Sequence, residues 1–191
     1  MERNGIVLFD CFGLFASDGM VDYFHRHEVS LEVKDRFCAP ADRGEKSLDE
    51  VLAEMAEYFH EPVEKLRRET IGTIRVNEGM VDLLRRLRKH HYVALLSNCM
   101  KGSMEAFFGG TDFLSLFDAT FLSCDLGLIK PNADYYAYCL DKLKTYPGPM
   151  VFFDDNPANV LGAKKASVDA VRFLSQEGCE EELLRRGYRL I

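Results

Sequence analysis

Residues 6 to 13 read IVLFDCFG: Ile6, Val7, Leu8, Phe9, Asp10, Cys11, Phe12 and Gly13. Glycines at 5 and 13 bound the run, and its apolar part ends in an acid. A run this short, apolar at every position, reads as a strand over residues 6–10 that is buried on both faces. A parallel sheet covered by helices on both sides buries a strand in that way, and such a sheet is built from helices and further strands that follow in alternation.

They do so after Val76. Helical patterning over 78–90 precedes a strand at 92–97, YVALLS. A short helix at 103–108, a strand at 119–123 and a helix at 133–144 come next. MVFFD at 150–154 is a strand, followed by a helix at 158–166, a strand at 170–173 and a helix at 176–186. The fold class is α/β, a parallel sheet joined by right-handed crossovers with helices on both faces. Residues 16–76 differ, being charged, helical and poor in strand patterning. Short helices are expected at 21–27 and 31–37. Ser47-Leu48-Asp49-Glu50 is a capping box opening a helix that runs to His60, and Pro62 starts another to about residue 73. The chain thus divides into a core, 1–15 with 77–191, and an inserted all-helical segment, 16–76.

The 191 residues carry 24 Lys and Arg against 31 Asp and Glu, a net charge of −7, which argues against nucleic acid as a partner. No apolar run approaches a membrane span, so no membrane partner is expected. The first acid, Asp10, comes too early for a secretory apolar region. The cysteines at 11, 38, 99, 124, 139 and 179 form no C-x-x-C pair, so reduced thiols and a cytoplasmic location are expected. His25, His27, His60, His90 and His91 lack metal-site spacing and are read as surface or cap residues. The basic run 85–89 reads as a solvated helix face.

In open parallel sheets ligands sit beyond the carboxyl ends of the strands. Here those ends carry Asp10, then Ser97 and Asn98, then Lys130 beyond the third strand, then Asp154 and Asp155. The set suits phosphoryl transfer. An Asp at such an edge can act as a nucleophile and form an aspartyl-phosphate. Asp10 and Asp155 supply the one or two carboxylates Mg²⁺ favours. Lys130 is a point charge for phosphate, and Ser97 and the backbone N–H of Asn98 donate to its oxygens.

These motifs resemble the haloacid-dehalogenase-like hydrolase superfamily. IVLFDCFG resembles its first motif and VALLSN (93–98) its second. GLIKPNADYY (127–136) resembles the third, and VFFDDNPANVLGAKKA (151–166) the fourth in its Asp-Asp form. Within it the chain looks like the small-cap sugar phosphatases and the phosphatase domain of soluble epoxide hydrolase. The resemblance implies a Rossmann-like core with 16–76 as a helical cap. It implies Asp10 as nucleophile and metal ligand, with Ser97 and Lys130 as phosphate-binding catalytic residues. It places Mg²⁺ on Asp10, Asp155 and the backbone carbonyl of Phe12, with Asp154 ligating directly or through water and Asn159 supporting from behind. Most phosphatases of the superfamily carry a second Asp where this chain has Phe12. An aromatic there resembles the metal-free dehalogenases, which lack the Asp-Asp pair.

The sequence therefore supports a Mg²⁺-dependent phosphatase acting on a small-molecule phosphate ester. The alternatives are a metal-free hydrolase of the dehalogenase type and a phosphate-binding or regulatory protein. Tyr23, Phe24 and Phe37 are candidates for ligand contacts or for the core of the insert, and the chain would be a monomer or a homodimer.

Overall fold

The computed structural model describes residues 3–109 and 112–191. Five strands form one parallel sheet in the order β3-β2-β1-β4-β5. They are β1 (Ile6–Phe9), β2 (Tyr92–Ser97), β3 (Ala119–Leu122), β4 (Met150–Asp154) and β5 (Ala170–Arg172). This is a Rossmann-like α/β sheet. β1 lies at its centre, with Val7 beside Val93 on one edge and Val151 on the other.

Alternation along the strands explains why these runs are apolar throughout. Val7, Phe9, Val93, Leu95, Val151 and Phe153 bury one face. Met80, Leu83, Leu84 and Leu87 of α5 (Glu78–Leu87) cover it with Leu183 of α10 (Gln176–Arg185). Ile6, Leu8, Ala94, Leu96 and Phe152 bury the other. There α8 (Ala133–Leu143) brings Tyr135, Tyr136, Cys139 and Leu143, and α9 (Pro157–Lys165) brings Val160 and Ala163. Each fully buried large apolar side chain contributes roughly 1.5–3 kcal/mol, and β1 has them on both faces.

The segment between β1 and α5 folds into a helical lobe: α1 (Gly19–Arg26), α2 (Leu31–Asp42), α3 (Leu48–Phe59) and α4 (Val63–Thr70), then a 3-10 turn, Ile71–Thr73. Its helices start where side chains satisfy free N–H groups. Asp18 caps α1, Ser30 caps α2, and Ser47 with Glu50 closes the capping box of α3. The lobe has its own apolar centre of Phe24, Phe37, Val51, Leu52, Met55 and Leu66. Tyr23, Phe24 and Phe37 are buried there, packed ring on ring, so they serve the lobe's core.

The lobe meets the core twice. At its base Ala16 bridges Val76, and Asn77 N–H donates to Phe15 O at 2.8 Å. Further out, the turn between α2 and α3 docks on the sheet's carboxyl edge. Leu48 N–H donates to Lys101 O at 3.0 Å, and Lys101 Nζ donates to Gly44 O at 2.6 Å. Gly44 holds φ +75°, and a Cβ there would stand 2.0 Å from the Cys124 carbonyl oxygen. That approach admits only glycine.

Four expectations change. α2 does not stop at Phe37 but runs through Pro40 to Asp42, because Phe37 and Ala41 on successive turns are both buried. A four-residue helix, α7 (Ser123–Leu126), follows β3, where a strand to residue 123 and then a plain connection to Lys130 were expected. His91 is buried, not at the surface. Its Nε2 accepts from Arg189 N–H at 2.8 Å, so Nδ1 carries the proton and donates to Asn4 O at 2.5 Å. Arg86 and Arg88 are half-buried and paired, Arg86 with Asp82 and Glu180, and Arg88 with Asp118, rather than simply solvated. All six cysteines are free thiols. Among the described residues no helix is long and apolar enough to cross a membrane.

Candidate active site

β1, β2 and β4 end side by side, so Asp10, Ser97 and Asp154 start from neighbouring positions. Lys130 arrives from the loop after α7 and joins two of them. Its ammonium lies 2.8 Å from Asp10 Oδ1 and 2.7 Å from Asp154 Oδ2, and its side chain is fully buried. Two carboxylates and one ammonium in so dry a place form a network whose members depend on one another.

Every oxygen of Asp154 is partnered. Oδ1 accepts from Asn156 N–H at 2.9 Å and Asn159 Nδ2 at 3.1 Å. Oδ2 accepts from Lys130 and, at 3.0 Å, from Asn159. Asp155 differs: its residue is exposed and lines the cavity above the strand ends. Gly13 makes room for it, since a Cβ at 13 would lie 2.3 Å from Asp155 Oδ2.

Asp10 is held by its own loop as well. Cys11 N–H donates to Asp10 Oδ1 at 2.6 Å. Burial pushes the Asp10 carboxyl well above the ordinary carboxylate range; Lys130 opposes this and Asp154 adds to it. Burial also raises Asp155, and Asp154 adds to that rise. On Lys130 burial acts to release the proton, but Asp10 and Asp154 outweigh it and the ammonium is held above its ordinary value.

One oxygen from each of Asp10, Asp154 and Asp155 falls within 4.8 Å of the others. An all-carboxylate set of this kind is a hard, oxygen-only donor group that suits Mg²⁺ and not a thiol- or imidazole-seeking metal. Asp10 and Asp155 have the freer oxygens, while those of Asp154 are already occupied.

Asn98 lines the cavity, but its side chain is committed to the scaffold. Nδ2 donates to Lys130 O and Oδ1 accepts from Lys130 N–H, both at 2.9 Å. The pair fixes the backbone that carries the lysine. Ser97 is fully buried, with its hydroxyl donating to Asn98 O at 3.3 Å. Phe12 lines the cavity half-buried, its ring edge-on to Phe107 at 5.4 Å.

The cavity encloses about 770 Å³ between these strand ends and the lobe. Its far wall carries Asp18, Asp22, Lys34 and Asp42 with Met20 and Leu48. Strand-end reasoning missed this wall. Its residues are scattered from the cap of α1 to the start of α3, and no spacing marks them as a set. His25 and His27 are exposed and lie outside it, and His27 stacks on Tyr23 and faces Glu69.

A parallel sheet of this order, with acids and a lysine at its carboxyl edge, is a Rossmann-like α/β core of the kind found in haloacid-dehalogenase-like proteins. A sequence model of the haloacid dehalogenase-like hydrolase family matches residues 6–167, and the chain belongs to that family. It is 32% identical over 88 residues to drimenol cyclase drtB of Aspergillus calidoustus, covering 46% of this chain and 17% of that one. It is 42% identical over 48 residues to bifunctional epoxide hydrolase 2 of Rattus norvegicus, covering 25% and 9%. The chain thus spans less than a fifth of the length of these curated relatives. Among solved structures, a HAD family enzyme from Bacteroides thetaiotaomicron in a magnesium complex superposes with a TM-score of 0.76 at 16% identity, covering 95% of this chain and 99% of that one. The same enzyme is described in complex with magnesium and inorganic phosphate, with a TM-score of 0.71 at 16% identity, covering 91% and 96%. At that identity the likeness shows the fold.

Proposed function

We propose that the chain is a Mg²⁺-dependent phosphatase that hydrolyses a small phosphorylated metabolite through an aspartyl-phosphate on Asp10. The carrying observation is the cluster of Asp10, Asp154 and Asp155 with a buried lysine at the ends of two adjacent strands. The magnesium and phosphate complexes of the Bacteroides enzyme support the same reading.

Each residue's role follows from its contacts. Lys130 and Cys11 N–H both bind Oδ1 of Asp10, so Oδ2 is the attacking oxygen. Asp10, Asp155 and the Phe12 carbonyl would hold Mg²⁺, with Asp154 behind them reaching it directly or through water. When bound, the ion supplies positive charge against the phosphate oxygens. Lys130 contributes charge to substrate and transition state alike. Asn98 contributes its backbone N–H, while its side chain keeps Lys130 in place. Ser97 adds a donor when its hydroxyl turns from Asn98 O. The lobe acts as the cap: a cavity of about 770 Å³ admits a metabolite and excludes a macromolecule.

Turnover of nitrophenyl phosphate is the test. Chelation by EDTA abolishes it, Mg²⁺ restores it and Ca²⁺ does not, because Ca²⁺ is larger and more loosely coordinated. Asp10→Asn shows no measurable turnover. Hydrolysis that survives EDTA supports the metal-free dehalogenase reading instead. Phosphate binding without turnover supports a regulatory protein.

A further inference from the structure

Hydrolysis of an alkyl phosphate leaves one proton without a carrier at this site. The departing alkoxide is a strong base and needs a proton as the P–O bond breaks. Phe12 stands where a donor would be expected and has none to give.

The cavity wall opposite the strand ends offers few candidates. Asp18 spends Oδ1 on the N–H groups of Met20 and Val21 as the cap of α1. Asp22 is exposed, and burial drives the Cys38 thiol far up, making it a poor donor. Lys34 is the positive charge set among these acids. Asp42 remains. It is the last residue of α2, half-buried, lining the same cavity as Asp10. Its side chain has no hydrogen bond or ion pair among the described residues. Its position over the site is fixed from the core, because Gly44, two residues on, is locked against Cys124 and Lys101.

We propose that Asp42 is the proton donor to the leaving oxygen and, in its ionised form, the base for the second half-reaction. This rests on the phosphatase reading. In the first step Asp10 Oδ2 bonds to phosphorus, the ester P–O bond breaks, and the Asp42 proton passes to the departing oxygen, releasing an alcohol. In the second, Asp42 takes a proton from water as the water oxygen bonds to phosphorus and the Asp10–phosphorus bond breaks. Ester and water become alcohol and phosphate, and both aspartates return to their starting states.

The surroundings agree. Burial pushes the Asp42 carboxyl up to about 7; Asp18 adds to this, while Lys34, Lys130 and Arg43 act against it. Cys38 from its own helix and Cys99 from the core are the other titratable groups that feel its charge.

The experiment compares kcat/KM for an alkyl phosphate, glycerol phosphate, with that for nitrophenyl phosphate, in saturating Mg²⁺. Nitrophenolate departs without a proton. Asp42→Asn lowers kcat/KM for the alkyl ester by roughly 10²–10⁴-fold and that for the aryl ester far less, because kcat/KM reports the steps up to departure of the leaving group, while kcat falls for both esters through loss of the base. In the wild type the alkyl rate falls as pH rises through about 7 and the aryl rate does not; this arm needs no variant to fold. Equal losses on both esters, no loss on either, or parallel pH profiles overturn the assignment. So does the same selective loss in Asp18→Asn, which keeps the helix cap. Turnover of both esters with Asp42→Asn behaving as wild type removes the proton donor but leaves the phosphatase standing. A wild type that turns over neither ester removes both.

Discussion

The two walls of the cavity use the same residue types in opposite ways. On the strand-end side Asp10, Asp154 and Lys130 are out of water, and Asp154 has a partner on both oxygens. On the lobe side Asp18, Asp22 and Asp42 line the cavity with one lysine, Lys34, and Asp42 has no direct partner among the described residues. A carboxylate locked to an ammonium is held in place, which suits a nucleophile and its scaffold. A carboxyl starved of partners keeps its proton to higher pH, which suits a donor. The contrast lies in what each chain segment brings within 3 Å, and aspartate alone does not decide it.

The sharpest way to break this contrast is to remove each wall's lysine. Lys130→Met strands two buried carboxylates and costs about 3–5 kcal/mol of stability. Lys34→Met, at a half-exposed position, stays within about 0.5 kcal/mol. Urea unfolding of the two variants measures the difference, and similar losses would make the walls equivalent. Next in size is the contact that holds one wall over the other. Gly44→Ala places a methyl 2.0 Å from the Cys124 carbonyl at φ +75°. It costs about 1–3 kcal/mol and shifts the end of α2 away from the site. A melting scan reads the first effect and the ratio of alkyl to aryl turnover the second. An unchanged ratio would show that the docking does not position Asp42.

The third effect is a pH dependence confined to the lobe. Asp42 binds its proton more tightly folded than unfolded, so its contribution to stability is full below about pH 4 and is lost as pH rises through about 7. Asp42→Asn lacks that loss. Melting temperatures of wild type and variant should match in acid, and the variant should gain relative to wild type towards pH 8. A constant gap across the range would mean that Asp42 titrates alike in both states.

Much of this was readable along the chain. The three central strands fall where apolar runs of strand length sit between turn residues, because burial on both faces is written in consecutive residues; the edge strands β3 and β5 are short and only partly buried. Asp10, Ser97, Asn98, Asp154 and Asp155 stand at or beside strand ends for the same reason. α7 was not readable, since four residues carry no helical period. The end of α2 was hidden by Pro40, a residue that discourages helix and here is overruled by the burial of Phe37 and Ala41.

The sequence by itself determined the alternation of strands and helices, the helical insert after β1 and the identities of the groups at the carboxyl edge. Those are local properties, set by periodicity, caps and turns within a few residues. Tertiary structure alone decided which of those groups compensate one another. Lys130 reaches back to Asp10 from far along the chain and across to Asp154 on β4. Asn98 turns from a ligand candidate into the clamp on Lys130. Asp42, one acid among many in the sequence, becomes an unpartnered carboxyl lining the same cavity as Asp10 because Gly44 lets its helix dock. Charge compensation depends on distance in space, and for these pairs distance in space is set by packing between elements that the sequence keeps far apart.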